Sequence, residues 1–194
     1  PDERELAYAK YKVLYEQNND FVGWISIDGT NVNYPVMQSI DTPDFYLKRN
    51  FEKAYSDFGV PYVDEACAVD LSTNTVIYGH HMKNGTMFSS LVKYVSKSYF
   101  EEHPIIRFDT FGGFGEYQVI AAFSFDTNNE DFRYNEYTDM TETEFDEFIS
   151  ECMERRAYDT GFTAEYGDRL LTLSTCEYTH QNGRFVVVAK LITD

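Results

Sequence analysis

Residues 170–192, LLTLSTCEYTHQNGRFVVVAKLI, contain two apolar segments separated by a polar one. Residues 170–174 and 184–192 are rich in Leu, Val and Thr, which is typical of β-strands. The polar residues 175–183 between them predict a loop. If the two strands pair antiparallel, their ends next to the loop lie about 5 Å apart. Cys176 and Arg184 would then flank one pocket.

The rest of the chain also alternates between short strands and turns. Further strands are predicted at residues 23–27, 32–37, 60–64, 75–79, 104–110 and 116–125. The first two form a hairpin around Asp28 and Gly29, and Pro35 assigns the second of them to an edge or a bulge. About eight short strands at this spacing favour a β-sandwich or a closed barrel over a parallel sheet.

Three helices are predicted between the strands, at residues 3–17, 86–95 and about 142–157. The first has a partly apolar face that includes Leu6, Val13 and Leu14. The third begins with a capping box, because Thr141 is followed three residues later by Glu144. No repeat or linker divides the chain, so the sequence predicts one domain.

The charge of the chain excludes several classes of ligand. The sequence has 16 Lys and Arg against 33 Asp and Glu, a net charge of −17. Nucleic acid and anionic membrane surfaces are therefore excluded as main ligands, because both require a basic surface. No apolar run is long enough for a transmembrane helix. Because the chain starts at Pro1 without a signal-peptide pattern, we expect a piece of a longer protein.

Cys176 is the candidate nucleophile, because it lies near the end of a predicted strand, where side chains leave the core and face a cleft. Arg184 beside it would lower the pKa of the thiol and stabilise a developing oxyanion. Cys152 lies on the apolar face of the third helix, and Cys67 has no partner signal, so both are predicted to be structural. The alternative for Cys176 is a small buried core residue.

A thiolate also needs a general acid and base, which is usually a histidine. The candidates are His80 and His81, which follow the strand at 75–79, together with His103 and His180. A metal site built from histidines and nearby glutamates lacks the HExxH spacing. The acidic residues from Asp126 onward do not fit the EF-hand template either. The sequence therefore predicts no metal site.

Several segments resemble the sortase family. TLSTC at residues 172–176, followed by Arg184, resembles the TLxTC…R signature of sortases. VIYGHHMKNGTMF at 76–88 resembles the YGHHMKxGxMF block of class B sortases. The segments at 21–25, 34–38 and 45–47, and the helix at about 142–157, also resemble that class.

The resemblance implies a mainly β fold, a closed eight-stranded sortase-type β-barrel. It has an N-terminal helix and a second helix inserted before the strand with the catalytic cysteine. Residues 1–194 would form a single sortase catalytic domain, with residues 1–19 as a helical appendage packed on the barrel. The family resemblance also implies the extracellular face of the membrane in Gram-positive-type bacteria. A single-pass N-terminal anchor, outside this chain, is expected to hold the protein there.

The resemblance also implies roles for individual residues. Cys176 becomes the nucleophile, His80 the general acid and base, and Arg184 the oxyanion donor. His80 is chosen over His81 because sortases generally place the catalytic histidine directly after a glycine. The substrate-binding residues that it implies are Leu47, Tyr134, Ser174, Thr175 and Glu177. One departure is Pro43, which stands where the family often has an asparagine.

The implied activity is that of a cysteine transpeptidase that needs no cofactor. It would cleave an NPxTx-like sorting signal of secreted proteins, form a thioester on Cys176 and transfer the acyl group to a peptidoglycan-precursor amine. The alternatives are a pilin-polymerising sortase with a pilin amine as acceptor, a cysteine peptidase that only hydrolyses, and a non-enzymatic surface binding module.

Overall fold

The computed structural model of the chain describes residues 1–128, 131–177 and 182–193; for Cys176 and Glu177 it describes only their places in a strand. Eight strands are found in these ranges: β1 (Phe21–Ser26), β2 (Asn33–Met37), β3 (Tyr62–Val63), β4 (Asn74–Gly79), β5 (Ile105–Thr110), β6 (Gly113–Asp126), β7 (Leu170–Glu177) and β8 (Gly183–Leu191). The α-helices are α1 (Glu3–Gln17), α2 (Lys97–Glu102) and α3 (Glu142–Arg155), and 3₁₀ helices cover Phe45–Leu47, Ser89–Val95 and Tyr134–Glu136. Every helix in the described ranges is too short or too polar to span a bilayer.

The strands close into a barrel in the order β1-β2-β3-β4-β7-β8-β6-β5. The closed eight-stranded barrel is therefore confirmed, and the sandwich alternative is wrong. Most neighbouring strands are antiparallel. The exceptions are β2 and β3, which meet in parallel at Met37 and Tyr62, and β4 and β7, which run parallel from Asn74 opposite Leu170 to Gly79 opposite Thr175. Because parallel strands point the same way, this pair brings the C-terminal ends of β4 and β7 to one rim of the barrel.

Three apolar cores hold the fold together, the smallest of which joins Tyr11 of α1 to Phe21 and Tyr46. The barrel interior contains the fully buried side chains of Ile25, Ile77 and Leu173, among others. A second core lies between α3 and the outside of the barrel, where Phe145 and Phe148 pack in one cluster with residues of β6 and β8. Helix α3 thus covers strands that would otherwise expose apolar side chains to water.

Helix α3 begins as the sequence predicts. The Thr141 hydroxyl accepts a hydrogen bond from the Glu144 backbone N–H at 3.3 Å, and the Glu144 carboxylate accepts one from the Thr141 N–H at 3.3 Å. This is the predicted capping box, which satisfies two backbone donors at the start of the helix. The helix ends at Arg155, two residues earlier than expected.

The predicted apolar face of α1 is confirmed at Leu14, which packs half-buried against the cluster of Tyr11 and Phe21, and is wrong at Leu6 and Val13. Leu6 and Val13 are 45% and 54% exposed, whereas Ala7 and Tyr11 are buried against the barrel. The helix is rotated toward Tyr11 because the Tyr11 hydroxyl donates a hydrogen bond to Asp109 of β5, and its ring stacks on Trp24 of β1. The hydrogen bond to Asp109 and the ring contact with Trp24 therefore stabilise this orientation of the helix more than burial of Leu6 and Val13 would.

Two other elements differ from the prediction. The helix expected at residues 86–95 is a 3₁₀ helix that begins at Ser89, because Met87 has a positive φ of 56° that interrupts any earlier helix. The strand predicted at residues 116–125 begins earlier, at Gly113, so only two residues separate it from β5. Pro35 pairs with Trp24 on β1. On its other side β2 pairs with β3 only at Met37, so Pro35 lies where the strand has one paired neighbour, as expected for a residue without an N–H.

Candidate active site

Three strands bring the predicted catalytic residues to one rim of the barrel. In the parallel pair, Gly79 lies opposite Thr175, and His80 and Cys176 are the next residues along their chains. In the antiparallel pair of β7 and β8, Cys176 lies opposite Arg184. The side-by-side placement of Cys176 and Arg184 that the sequence predicts is thus found in the backbone register.

Gly79 is required at the end of β4 because of a close approach. A methyl group added to Gly79 would lie 2.5 Å from ring carbons of the fully buried Phe88. The Phe88 backbone N–H in turn donates to the His80 carbonyl at 2.8 Å. A glycine before two histidines would suggest a sharp turn of the backbone. In the structure, Gly79 instead leaves room for the ring of Phe88.

We expect Gly79→Ala to lower the free energy of unfolding by about 1–3 kcal/mol, because the added methyl overpacks the Phe88 ring. Urea unfolding of both proteins measures this difference. The control is the same substitution in a Phe88→Leu background, where the ring is gone. An equal loss in both backgrounds would contradict a clash with Phe88.

A cleft of about 510 Å³ opens at this rim. Its walls come from β4, β7 and β8, from the 3₁₀ helix Phe45–Leu47, and from the segment before α3. Six of the eight predicted site residues line it: Leu47, His80, Tyr134, Ser174, Thr175 and Arg184. The other two, Cys176 and Glu177, belong to β7, but the structure does not describe their side chains.

His80 is half-buried, and its Nε2 lies 2.5 Å from the backbone carbonyl oxygen of Leu47. His81 is not among the residues that line the cleft; its backbone pairs with Met87. The ring of His103 lies elsewhere, with Nδ1 3.0 Å from the Asp28 carbonyl oxygen. His180, the fourth candidate, lies outside the described residues.

The floor of the cleft is polar but closely packed. The hydroxyls of Tyr134 and Ser174 lie 2.6 Å apart, and both residues are buried. Thr175 is 2% exposed, and its hydroxyl has no hydrogen-bond partner among the described residues. Because an unpaired buried hydroxyl costs about 1–3 kcal/mol, the Thr175 hydroxyl lowers the stability of the fold.

Arg184 is half-buried at the start of β8. Its Nη1 donates to the carbonyl oxygen of the preceding Gly183 at 2.9 Å. Its backbone pairs with Cys176 on one side and with Phe125 of β6 on the other. The guanidinium has donors beyond the one that this contact uses, which suits it to bind an oxyanion.

Sequence reasoning missed two tyrosine–carboxylate pairs that line the cleft. The Tyr78 hydroxyl donates to Asp64 at 2.6 Å, and the Tyr62 hydroxyl donates to Asp44 at 2.7 Å. Burial, followed by the bond to its carboxylate, raises the pKa of each tyrosine above its usual range, so both remain donors. Tyr78 lies two residues before His80, and alternate residues of a strand point to the same side. This period of two could have predicted that Tyr78 also lines the cleft.

Away from the cleft, the described ranges contain neither a cluster of metal ligands nor an exposed thiol. There, His, Cys, Asp and Glu side chains form no group of three or more that could hold a metal ion. Burial raises the pKa of Cys67 to about 12, and it also raises the pKa of Cys152. Both thiols are buried and free, as predicted for structural cysteines.

Comparison with known proteins agrees with this geometry. The sortase domain model matches residues 25–192 of the chain. Sortase B of Staphylococcus aureus (strain NCTC 8325 / PS 47) is 35% identical over 192 residues, which cover 97% of this chain and 77% of that protein.

Solved structures show the same similarity over the whole fold. The structure described as a Staphylococcus aureus sortase B–substrate complex superposes with a TM-score of 0.86 at 33% identity, covering 98% of this chain and 92% of that one. A crystal structure of sortase B complexed with triglycine gives the same TM-score of 0.86, identity of 33% and coverage of 98% and 92%. Fold, matched domain and relatives agree: the chain belongs to the sortase family, within class B, and is a cysteine transpeptidase.

Proposed function

We propose that this transpeptidase uses Cys176 as nucleophile, His80 as general acid and base, and Arg184 as oxyanion donor. The observation that carries the proposal is the register of β4, β7 and β8. It sets Gly79 opposite Thr175 and Cys176 opposite Arg184. The three residues therefore share one rim of the barrel, where the cleft opens.

The first half-reaction is acylation of the enzyme. The Cys176 thiolate attacks the carbonyl carbon of the substrate threonine, and the carbonyl oxygen becomes an oxyanion that accepts hydrogen bonds from Arg184. The tetrahedral intermediate collapses by breaking the peptide bond that follows the threonine. Protonated His80 gives its proton to the departing amine. A thioester on Cys176 remains.

The second half-reaction transfers the acyl group. An incoming amine attacks the thioester carbonyl, and neutral His80 accepts the proton that the amine loses. Arg184 stabilises the second oxyanion in the same position. Collapse of this intermediate breaks the carbon–sulfur bond, restores the thiolate and leaves a new amide bond. No cofactor takes part in either half.

We propose Leu47, Tyr134, Ser174, Thr175 and Glu177 as the residues that hold the sorting signal. The first four line the cleft, and Tyr134 and Ser174 bring hydroxyl groups to its wall. The exposed Leu47 side chain supplies apolar surface at the opposite wall. These contacts suit an extended peptide that is bound by hydrogen bonds on one side and apolar contact on the other.

The proposed donor is an NPxTx-like sorting signal, and the proposed acceptor is the amine of a peptidoglycan precursor. Support comes from the relatives, one of which is described as a substrate complex and another as a complex with triglycine, a peptide with a primary amine. Pro43 cannot donate a side-chain hydrogen bond, so the first position of the signal is where this chain should depart most from its relatives. A pilin amine is the alternative acceptor.

We further propose that residues 1–194 act as one catalytic domain, with residues 1–19 as its helical appendage. The contact between Tyr11 and Asp109 supports this, because it ties α1 to the barrel wall. The proposed location is the extracellular face of the membrane, where sorting signals and wall precursors meet. A single-pass N-terminal anchor outside these residues would hold the domain there.

The test incubates the protein with quenched fluorescent NPxTx and LPxTx peptides, with and without an amine acceptor. We expect cleavage after threonine and, by mass spectrometry, a product joined to the added amine. Triglycine, a peptide with the side-chain amine of a wall precursor and a pilin-derived lysine peptide separate the possible acceptors. Release of only the free acid in excess of every amine would contradict the proposed transfer.

A further inference from the structure

Within the described part of the chain, the ring of His80 is held by a backbone group. Its Nε2 lies 2.5 Å from the carbonyl oxygen of Leu47. A carbonyl oxygen can only accept a hydrogen bond, so Nε2 must carry the proton whenever this contact is made. In neutral His80 the nitrogen without a proton is then Nδ1. The position of one carbonyl thus decides which ring nitrogen can act as a base.

The Leu47 carbonyl is held in place by its neighbour Tyr46. The Tyr46 side chain is 1% exposed and lies in an apolar cluster with Phe21, Met37 and Val60. The Tyr46 carbonyl oxygen accepts a hydrogen bond from the Val60 N–H at 3.2 Å. The 3₁₀ helix Phe45–Leu47 is therefore anchored through its middle residue, while Leu47 itself is 39% exposed.

The Tyr46 side chain is in turn held by residues at and just after the end of helix α1. The Tyr46 hydroxyl donates to an Asp20 carboxylate oxygen at 2.6 Å and accepts from the Asn18 side-chain amide at 3.0 Å. Asn18 is the C-cap of α1, and its amide also donates to the Phe51 carbonyl at 2.8 Å. Burial, reinforced by Asp20, raises the pKa of Tyr46 above its usual range, so this hydroxyl remains a donor.

We infer that Tyr46, held by the residues that end helix α1, is a positioning residue that sets the imidazole of His80 through the Leu47 carbonyl. This inference rests on the proposed role of His80 as general acid and base. It connects the N-terminal appendage to the chemistry by four named contacts: Asn18 and Asp20 to Tyr46, Tyr46 to its neighbour Leu47, and Leu47 to His80. The Nδ1 atom of His80 is then the nitrogen that exchanges the proton.

The first variant is Tyr46→Phe, which keeps the buried ring and removes only the hydroxyl. The Asn18 amide loses one of its acceptors and the Asp20 carboxylate loses a donor, so the anchor of the 3₁₀ helix weakens. We expect kcat to fall between about 10- and 100-fold, the range caused by misplacing a reacting group by about 1 Å. KM should change less than about twofold.

The second variant, Gly59→Ala, acts on the carbonyl directly. Gly59 has a φ of +58°, and an added methyl would lie 2.5 Å from the Tyr46 carbonyl oxygen and 2.6 Å from that of Leu47. The matched control is Tyr94→Phe, which also removes one buried tyrosine hydroxyl, bonded at 2.7 Å to the His103 carbonyl. Tyr94 is fully buried and lies outside the cleft lining.

The readout beside activity is the tautomer of His80, measured from its ring nitrogen chemical shifts in ¹⁵N-histidine-labelled protein. His80→Asn identifies the signals by removing them. We expect wild type and Tyr94→Phe to show protonated Nε2 and unprotonated Nδ1 at neutral His80. Tyr46→Phe and Gly59→Ala should show a mixture of the two tautomers, together with the fall in kcat.

Two results would overturn the inference. One is an unchanged tautomer and unchanged kcat in both variants. The other is a fall in kcat with the tautomer unchanged, which would mean that Tyr46 only supports the fold. If His80→Asn keeps full turnover, the proposed function fails instead, and the tautomer measurement still decides whether Tyr46 sets the ring.

Discussion

Replacing Cys176 with alanine should abolish both thioester formation and transfer to an amine. We expect turnover of the sorting peptide to fall by at least about four orders of magnitude, because alanine has no nucleophile for the covalent intermediate that we propose on Cys176. The measurement is peptide cleavage, together with the mass of the intact protein after incubation with substrate. Wild type should gain the mass of the acyl group, and Cys176→Ala should not.

The matched control is Cys67→Ala, which removes a cysteine away from the cleft. Burial raises the pKa of Cys67 to about 12, so at neutral pH this thiol is not a thiolate and does not react. The variant should keep wild-type turnover, and iodoacetamide should label Cys176 alone in folded wild-type protein. Cleavage that persists in Cys176→Ala, or labelling of Cys67 in its place, would contradict the assignment.

Replacing Arg184 with lysine should lower kcat by about 100- to 1,000-fold, the cost of losing one oxyanion donor. Lysine keeps the charge but loses the planar fork of donors, so it cannot hold both the Gly183 carbonyl and an oxyanion in the same geometry. Because the oxyanion exists only in the transition state and intermediate, KM should change little. Steady-state kinetics with the best peptide separate the two constants.

The control for Arg184 is Arg107→Lys on β5. Arg107 is exposed and pairs with Glu116 at 2.8 Å, and it does not line the cleft. This variant should keep wild-type kcat and KM. If Arg184→Lys turned over substrate at a near-normal rate, the oxyanion would have to be bound by another donor. A rise in KM alone would assign Arg184 to ground-state binding.

Short stretches of sequence predict those elements that are fixed by contacts between residues close together in the chain. Helix α3 begins at a capping box formed by residues three apart, and β7 and β8 are paired strands that only five residues separate in sequence. In both cases the partner of each residue lies nearby in the chain. The pairing of Cys176 with Arg184 is predictable for this reason, without any family resemblance.

The remaining features depend on partners far apart in sequence. The parallel pairing of β4 with β7 has no local signal, and it is what places His80 beside Cys176 along the rim. The bonds from Tyr78 to Asp64 and from Tyr46 to Asp20 likewise join separate segments. The predicted face of α1 is wrong at Leu6 and Val13 because periodicity alone does not reveal that Tyr11 has an acceptor on β5.

The parallel pairing of β4 and β7 also determines when the reactive centre comes into being. Strand β4, which His80 directly follows, leaves the ribosome well before β7 and β8, which are the last strands of this barrel to be made. Joining such distant segments closes a long loop, and this non-local step is slow in folding. A chain still under synthesis therefore has His80, the proposed acid–base residue, without Cys176, the proposed nucleophile, beside it, and we expect reactivity to begin only when β7 and β8 complete the barrel.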